Sequence, residues 1–349
     1  MKINRNLTIA LTIISLTGCI GMSSKVASAA TDSSNETVIN ERWGKPTFVV
    51  GAGLNQDQTN ETMKLLEIES NAVNTQKATG KDLITYLGYG SGDDSVMLSS
   101  VVVNREDEGK GINVDILTPQ NITLITADQY KNPLVTAGIK DATIKVASVV
   151  KVTGESALTG VYKAFQANGE AVDPDRAKLA QEELDTTTDL SKSIVEQATE
   201  DNKSESLTED EQAKADEAYK AQLNQTLVDI KKELADLKEK QGELATKAEV
   251  EKIVNEALTK NNLSTYLSKE DITKLVALAE KYQSTAGVLD KESIKQLDKI
   301  SAGFTDTVSR LGDELGKFGE SLKGTIDENQ GFFSNLWTSI TDFFGDIFN

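Results

Sequence analysis

The chain has 349 residues, with 37 Lys and Arg against 55 Asp and Glu, a formal charge of −18, and no histidine. So acidic a surface repels phosphate backbones, which argues against nucleic acid as a partner, and it weakens electrostatic docking on anionic lipid. With Cys19 as the lone cysteine and no imidazole, an intramolecular disulfide, a Cys/His zinc site and the Ser-His-Asp and Cys-His triads are all excluded.

Residues 1–29 read as an export signal. Lys2 and Arg5 precede an apolar run, and Ala27-Ser28-Ala29 offers a small-x-small cleavage site at Ala29. A second processing route sits inside it, because Leu16-Thr17-Gly18-Cys19 resembles a lipobox that would lipidate Cys19. Against it stands Ile20, where a small or polar residue is usual, so cleavage near Ala29 is preferred. Both routes place the protein outside the cytoplasmic membrane, secreted or held at the surface. Lys2, Arg5 and Lys25 fall in this leader, which holds no acid, so the remaining chain has 34 basic residues against 55 acidic, or −21.

Residues 30–45 are polar and read as a disordered linker, with Trp43 set to tuck against the first strand. Residues 46–168 predict an α/β domain. Residues 47–51 form a strand, Asn55 or Asp57 caps a helix to about Leu66, and residues 80–87 form a short helix stopped by Gly88. Residues 96–104 and 111–117 are two strands, expected to be neighbours across the hydrophilic turn between them. Thr126 or Asp128 caps the next helix. Residues 142–152 are a strand with Ala142, Ile144, Val146, Ser148 and Val150 on one face, and Glu155 or Ser156 starts a helix carrying Leu158, Val161, Tyr162 and Phe165. The order is β-α-α-β-β-α-β-α, and the fold class is α+β: this mixed domain followed by an all-helical, coiled-coil-like C-terminal region.

Residues 169–206 read as a charged helical linker opened by Asp173-Pro174, solvated beyond Asp185. Residues 207–330 are the helical region. Leu223, Leu227, Ile230, Leu234, Leu237 and Leu244 form a seam of about three heptads. Such a seam fits a homo-oligomeric coiled coil or, preferably, a helical hairpin within the chain. Ser268 and Asp271 start one further helix. Asp290 caps a long one with apolar positions from Ile294 to Leu322, and its glycines make it either loose or closely packed on a neighbour.

Residues 331–349 form an amphipathic helix holding five of the nine phenylalanines. Phe332, Phe333, Leu336, Trp337, Ile340, Phe343, Phe344, Ile347 and Phe348 are the candidate interaction face. It either folds back on the helices, which is preferred, or meets a protein, envelope component or membrane surface. Its polar face carries Asp342 and Asp346 and no cation, which does not suit anionic lipid.

Four local patterns suggest chemistry and fail on inspection. Gly51-Ala-Gly53 after a strand suggests a dinucleotide turn, but Gln56 stands where the third glycine belongs. Residues 153–160 lack the Lys-Ser/Thr pair of a phosphate loop, although their N–H groups could hold an anion. Ser148 and Lys151 have the Ser-x-x-Lys spacing, but in a strand an odd separation sends them to opposite faces. Glu106, Asp107 and Glu108 lack the spaced oxygens of an EF-hand. No catalytic, cofactor-binding or metal residues are assigned, and no cofactor is expected.

Three blocks carry a resemblance: VVGAGLNQDQ at residues 49–58, GKGINVDI at 109–116, and the long run ITADQYKNPLVTAGIKDATIKVASVVKVTGESALTGVYKAF ending at Phe165. In them the chain resembles the YpuA-like secreted proteins of Gram-positive bacteria, a family of unknown function. The resemblance implies export and an N-terminal α/β module followed by a variable helical region, and it brings no catalytic residues. The functional expectation is an exported, envelope- or surface-associated protein that binds rather than turns over. The alternatives are a carboxylate-dependent hydrolase of wall glycan and a membrane-active amphipathic protein.

Overall fold

The computed structural model describes residues 43–201 and 207–323. The expected export signal with Cys19 and Ala29, and the candidate face at residues 331–349, lie outside the described residues. The class is α+β, as expected: a five-stranded mixed sheet with its helices, continued by a helical arm.

Two βαβ units build the sheet. In the first, β1 (Thr47–Gly51) leads through α1 (Gln56–Leu65) to β2 (Asn74–Ala78), which lies parallel to β1. In the second, β4 (Ile112–Ile116) leads through α3 (Ala127–Thr136) to β5 (Ala142–Ala147), again parallel. Parallel neighbours require such a crossover. Between the units lies β3 (Ser100–Arg105), antiparallel to both β1 and β5, so the order is β2-β1-β3-β5-β4. Before it come α2 (Gly80–Leu87) and a 3-10 turn at Asp94–Val96; after β5 comes α4 (Ser156–Ala167).

Two sequence expectations need correction here. The two strands expected to pair across residues 105–111 do not touch, because β5 lies between them. Burial explains the insertion. β5 buries Ala142, Ile144, Val146 and Ala147 and half-buries the rest, as a central strand does, whereas β4 alternates buried Ile112 and Val114 with exposed Asn113 and Asp115, as an edge does. The turn is held not by a hairpin ladder but by the Asp141 carboxylate, whose Oδ1 accepts from the Gly109 and Gly111 amides at 3.0 and 2.8 Å. The other correction is an addition. The strand β2, NTQKA, lacks apolar alternation because it is the opposite edge and buries only Ala78.

One face of the sheet, with Val49, Val101, Val103, Ile144 and Val146, packs under α2, α3 and α4. The other, with Phe48, Val50 and Val102, packs under α1. Trp43 is buried in the sheet cluster that also holds Val49 of β1. Its ring meets Phe165 edge-on at 4.7 Å and its Nε1 donates to Glu170.

The arm comprises α5 (Pro174–Asp201), α6 (Glu209–Gln241), α7 (Lys247–Lys260), α8 (Lys269–Ser284), α9 (Lys291–Glu314) and α10 (Gly316–Lys323). Thr208, Thr246 and Ser268 each close a capping box with the acid three residues on, and Asp290 caps α9. Beyond Asp185 the helix α5 is solvated on one side only; Leu190, Ile194 and Ala198 are fully buried. In the seam, Leu223, Leu227, Ile230 and Leu234 are buried within the chain against α5, α7, α8 and α10, while Leu244 falls past the end of α6 and stays exposed. The stripe of α9 serves two cores. Leu297, Ile300 and Phe304 join the sheet cluster, and Leu311 joins the helical one. The last turns are not one helix with α9. The chain breaks at Leu315 and Gly316, and Gly319 then packs so tightly on Gly312 that a Cβ would sit 1.8 Å from its carbonyl oxygen.

Candidate functional site

The glycine turn after β1 is filled by the chain itself. A Cβ at Gly51 would lie 2.2 Å from the Met97 carbonyl oxygen, and one at Gly53 would lie 2.7 Å from that of Asp94. Gly53 also donates its amide to Met97. The glycines admit the 94–97 backbone, not a pyrophosphate, and Asn55 caps α1 in a capping box with Gln58. At the start of α4, the Gly154 carbonyl is held by the Tyr130 hydroxyl at 2.6 Å, and Gly160 lets the helix sit down on Val101. Ser148 lies past the end of β5, its Oγ donating to Leu98 and Val150 carbonyls, and Lys151 is exposed. Glu106, Asp107 and Glu108 form the turn between β3 and β4. Among the described residues, no three His, Cys, Asp or Glu side chains gather as a metal cage.

The structure gathers polar groups elsewhere, where α3, α5, α6 and α8 meet. Lys231 of α6 and Glu183 of α5 are 1% and 0% exposed, and Nζ donates to both carboxylate oxygens at 2.8 and 3.0 Å. Nζ also donates to Thr136 Oγ1 at 2.8 Å and reaches Asn132 Oδ1 at 3.5 Å, and it lies 4.6 Å from the Tyr282 ring centre. Thr136 Oγ1 in turn donates to Glu183 Oε2 at 2.6 Å. Asn132 Nδ2 donates to the backbone oxygen and Oδ1 of Asn224 at 2.8 and 3.2 Å, and Gln129 donates to Thr188. Burial pulls the Lys231 ammonium below its ordinary range, against the opposing pull of Glu183. Burial and the Glu183 charge push the Tyr282 phenol well up.

Every member comes from a helix face that reads as solvated in sequence. Asn132 precedes a proline inside a helix, Glu183 stands in an acidic run, and Lys231 sits beside Lys232 on the flank of the seam. The structure, not the sequence, reveals the cluster: α3 buries Asp128, Gln129, Asn132 and Thr136 along with its apolar residues.

At the surface, Tyr89 lies near Glu155 and Asp185. Burial, then those two carboxylates, raises its phenol. Asp185 is held above the usual carboxylate range by partial burial and by Glu155, Asp189 and Glu182, although Gln181 hydrogen-bonds to it. A groove of about 270 Å³ between α6, the end of α7 and α9 is lined by Gln225, Lys260, Asn262, Val308 and Leu322 among others. Large hydrophobics exposed among the described residues are Ile84, Tyr89, Val96 and Leu244. No described helix is long and apolar enough to cross a membrane.

A mixed sheet with a helical arm, packed around a buried polar knot, is the class of protein this structure defines. The chain matches the family described as Protein of unknown function (DUF1002) over residues 50–300, and it belongs to that family. The match runs through the sheet module and deep into the arm, so the family pattern includes much of the helical half. The chain is also similar to a protein of Bacillus subtilis (strain 168) described as Uncharacterized protein YpuA, with 29% identity over 309 residues, covering 86% of this chain and 90% of that one. The resemblance seen in the three sequence blocks is therefore borne out. No solved structure matches.

Proposed function

We propose that the protein is exported and binds a component of the cell envelope without turning it over, with residues 331–349 as the interaction face. One observation carries this reading. The arm's stripes looked as if they sought a partner, but the described helices bury them within the chain and leave few large hydrophobics exposed. The nine apolar residues from Phe332 to Phe348 are then the apolar face with most to gain. Each gains about 1.5–3 kcal/mol on full burial. The leader, and the absence of imidazole and of thiol beyond Cys19, support export and binding over catalysis.

The test is fractionation of cells producing the full chain or a chain ending at residue 330, each also with Cys19→Ser. Loss of envelope retention on truncation, with Cys19→Ser leaving it intact, supports the reading. Equal retention of the truncated chain overturns it, and release by Cys19→Ser alone assigns retention to lipid at that residue. The hydrolase alternative would look to the carboxyls that burial raises, Asp185 beside Glu155 among them, because a general acid needs a carboxyl raised above its ordinary range. Release of soluble fragments from purified wall, abolished by Asp185→Asn, would favour it.

A further inference from the structure

The knot between α3, α5 and α6 holds an amine, a carboxamide and a carboxylate together away from water. We propose that it is a self-modification site, at which Lys231 Nζ forms an amide bond with Asn132 Cγ and ammonia is expelled, with Glu183 as the proton carrier.

Three requirements of transamidation are met by named groups. The amine must be able to lose its proton. Lys231 is fully buried with a carboxylate on it at 2.8 Å, so in this low-dielectric setting a proton shared with Glu183 costs far less to move than in water. The carboxamide must be held beside the amine. Asn132 Oδ1 is 3.5 Å from Nζ, and both Nδ2 hydrogens are engaged by Asn224, so the side chain cannot turn away. Water must be kept out, or hydrolysis to aspartate competes. Asn132, Glu183, Lys231 and Asn224 are each 1% exposed or less.

The step balances without a co-reactant. Glu183 takes a proton from the ammonium, and the lone pair set free attacks Cγ as the Lys231 side chain rotates onto it. Collapse of the tetrahedral centre breaks the Cγ–Nδ2 bond. Nitrogen departs with its own two hydrogens, the proton returned by Glu183 and the second proton released by Nζ, so the products are a secondary amide, ammonium and the regenerated carboxylate. The commoner fate of asparagine is closed at this position. Succinimide formation uses the next residue's backbone N–H, and the next residue is Pro133, which has none. Glu183 itself is the poorer electrophile, since a carboxylate would have to expel oxide or hydroxide. The resulting bond would weld the sheet module to the arm in a chain that has no disulfide. It does not depend on where the protein resides.

Intact mass of the purified, denatured full chain reads the outcome directly, because loss of ammonia lowers the mass by about 17 Da. The expected result is that deficit in the native sequence, with tryptic peptides 132–140 and 221–232 recovered as one cross-linked species. Lys231→Arg should restore the full mass, which separates this bond from ammonia lost at Asn168-Gly169. The isosteric Glu183→Gln, shown to be folded by its far-UV spectrum, should stay uncross-linked. A native chain of full mass that yields the two peptides separately overturns the proposal. So does a deficit that persists in Lys231→Arg, or a loss of about 18 Da joining peptide 221–232 to 179–192, which would place the bond at Glu183 instead.

Discussion

The sheet module and the helical arm are stabilised by different kinds of information. In the arm four of the six helices declare themselves locally: a cap at Thr208, Thr246, Ser268 or Asp290, then apolar residues at steps of three and four. In the module the strands are short and their partners distant in sequence, so β3 pairs with β5 across the whole of β4 and α3. The two regions share little of either logic where they meet. There the apolar contact made by Leu297, Ile300 and Phe304 is joined by a polar group, with Lys231, Glu183, Thr136, Asn132 and Asn224 buried together. Apolar burial would join two cores in many registers, whereas hydrogen bonds from buried groups accept few. We infer that this knot fixes how the arm sits on the module.

The sharpest way to break that arrangement is to leave one buried charge alone. Lys231→Met is expected to lower stability by about 3–5 kcal/mol in urea unfolding, because it removes the charge paired with Glu183 where the two form an ion pair, and the covalent tie where the amide has formed. Adding Glu183→Leu should recover the part due to the stranded carboxylate. What the double variant does not recover includes the hydrogen bonds that Lys231 gives Thr136 and Asn132 as well as any covalent tie. A loss below about 1 kcal/mol for Lys231→Met would mean that the pair is not sealed from water.

A second measurement asks whether the two cores unfold together. Leu297 is fully buried on the arm helix α9, yet it belongs to the sheet cluster. Leu297→Ala should cost about 2–4 kcal/mol. With Trp337→Phe in the background, Trp43 fluorescence reports the module, and ellipticity reports mainly the arm. Coincident shifts of both transitions are expected; a shift in one alone would mean that the cores are energetically separate.

What could be read from the sequence follows the same division. The spans of β1, α2 and the starts of α1, α3, α8 and α9 were legible because caps and apolar spacing are local. The place of β5 between β3 and β4 was not, because two apolar strands joined by a hydrophilic turn look like a hairpin until a third strand claims the middle. The β2 edge was silent for want of apolar alternation. The knot was hidden by residue type: Asn132, Glu183 and Lys231 look solvated, and only the packing of three helices puts them inside. The candidate tail face stays a sequence reading, since residues 324–349 lie outside the described part.

The smallest expected effect is one residue along from the largest. Lys232 follows Lys231 on α6, but consecutive residues on a helix point about 100° apart, and this one faces solvent. It pairs with Asp298 of α9 at 2.6 Å with side chains 40% and 53% exposed. The hydrogen bond that Lys232 Nζ donates to Asp298 Oδ1 holds the ammonium above its ordinary range, with slight burial opposing. A raised lysine value stabilises the fold below the unfolded value of about 10.4, and the contribution is lost as pH climbs through the folded value. Solvent screening keeps it small, so Lys232→Met should cost about 0–1 kcal/mol at neutral pH, shrink in high salt, and vanish at strongly alkaline pH. A loss matching that of Lys231→Met would show that charge, not burial, sets the energy of the junction. Two adjacent lysines differing several-fold would show that position on the helix does.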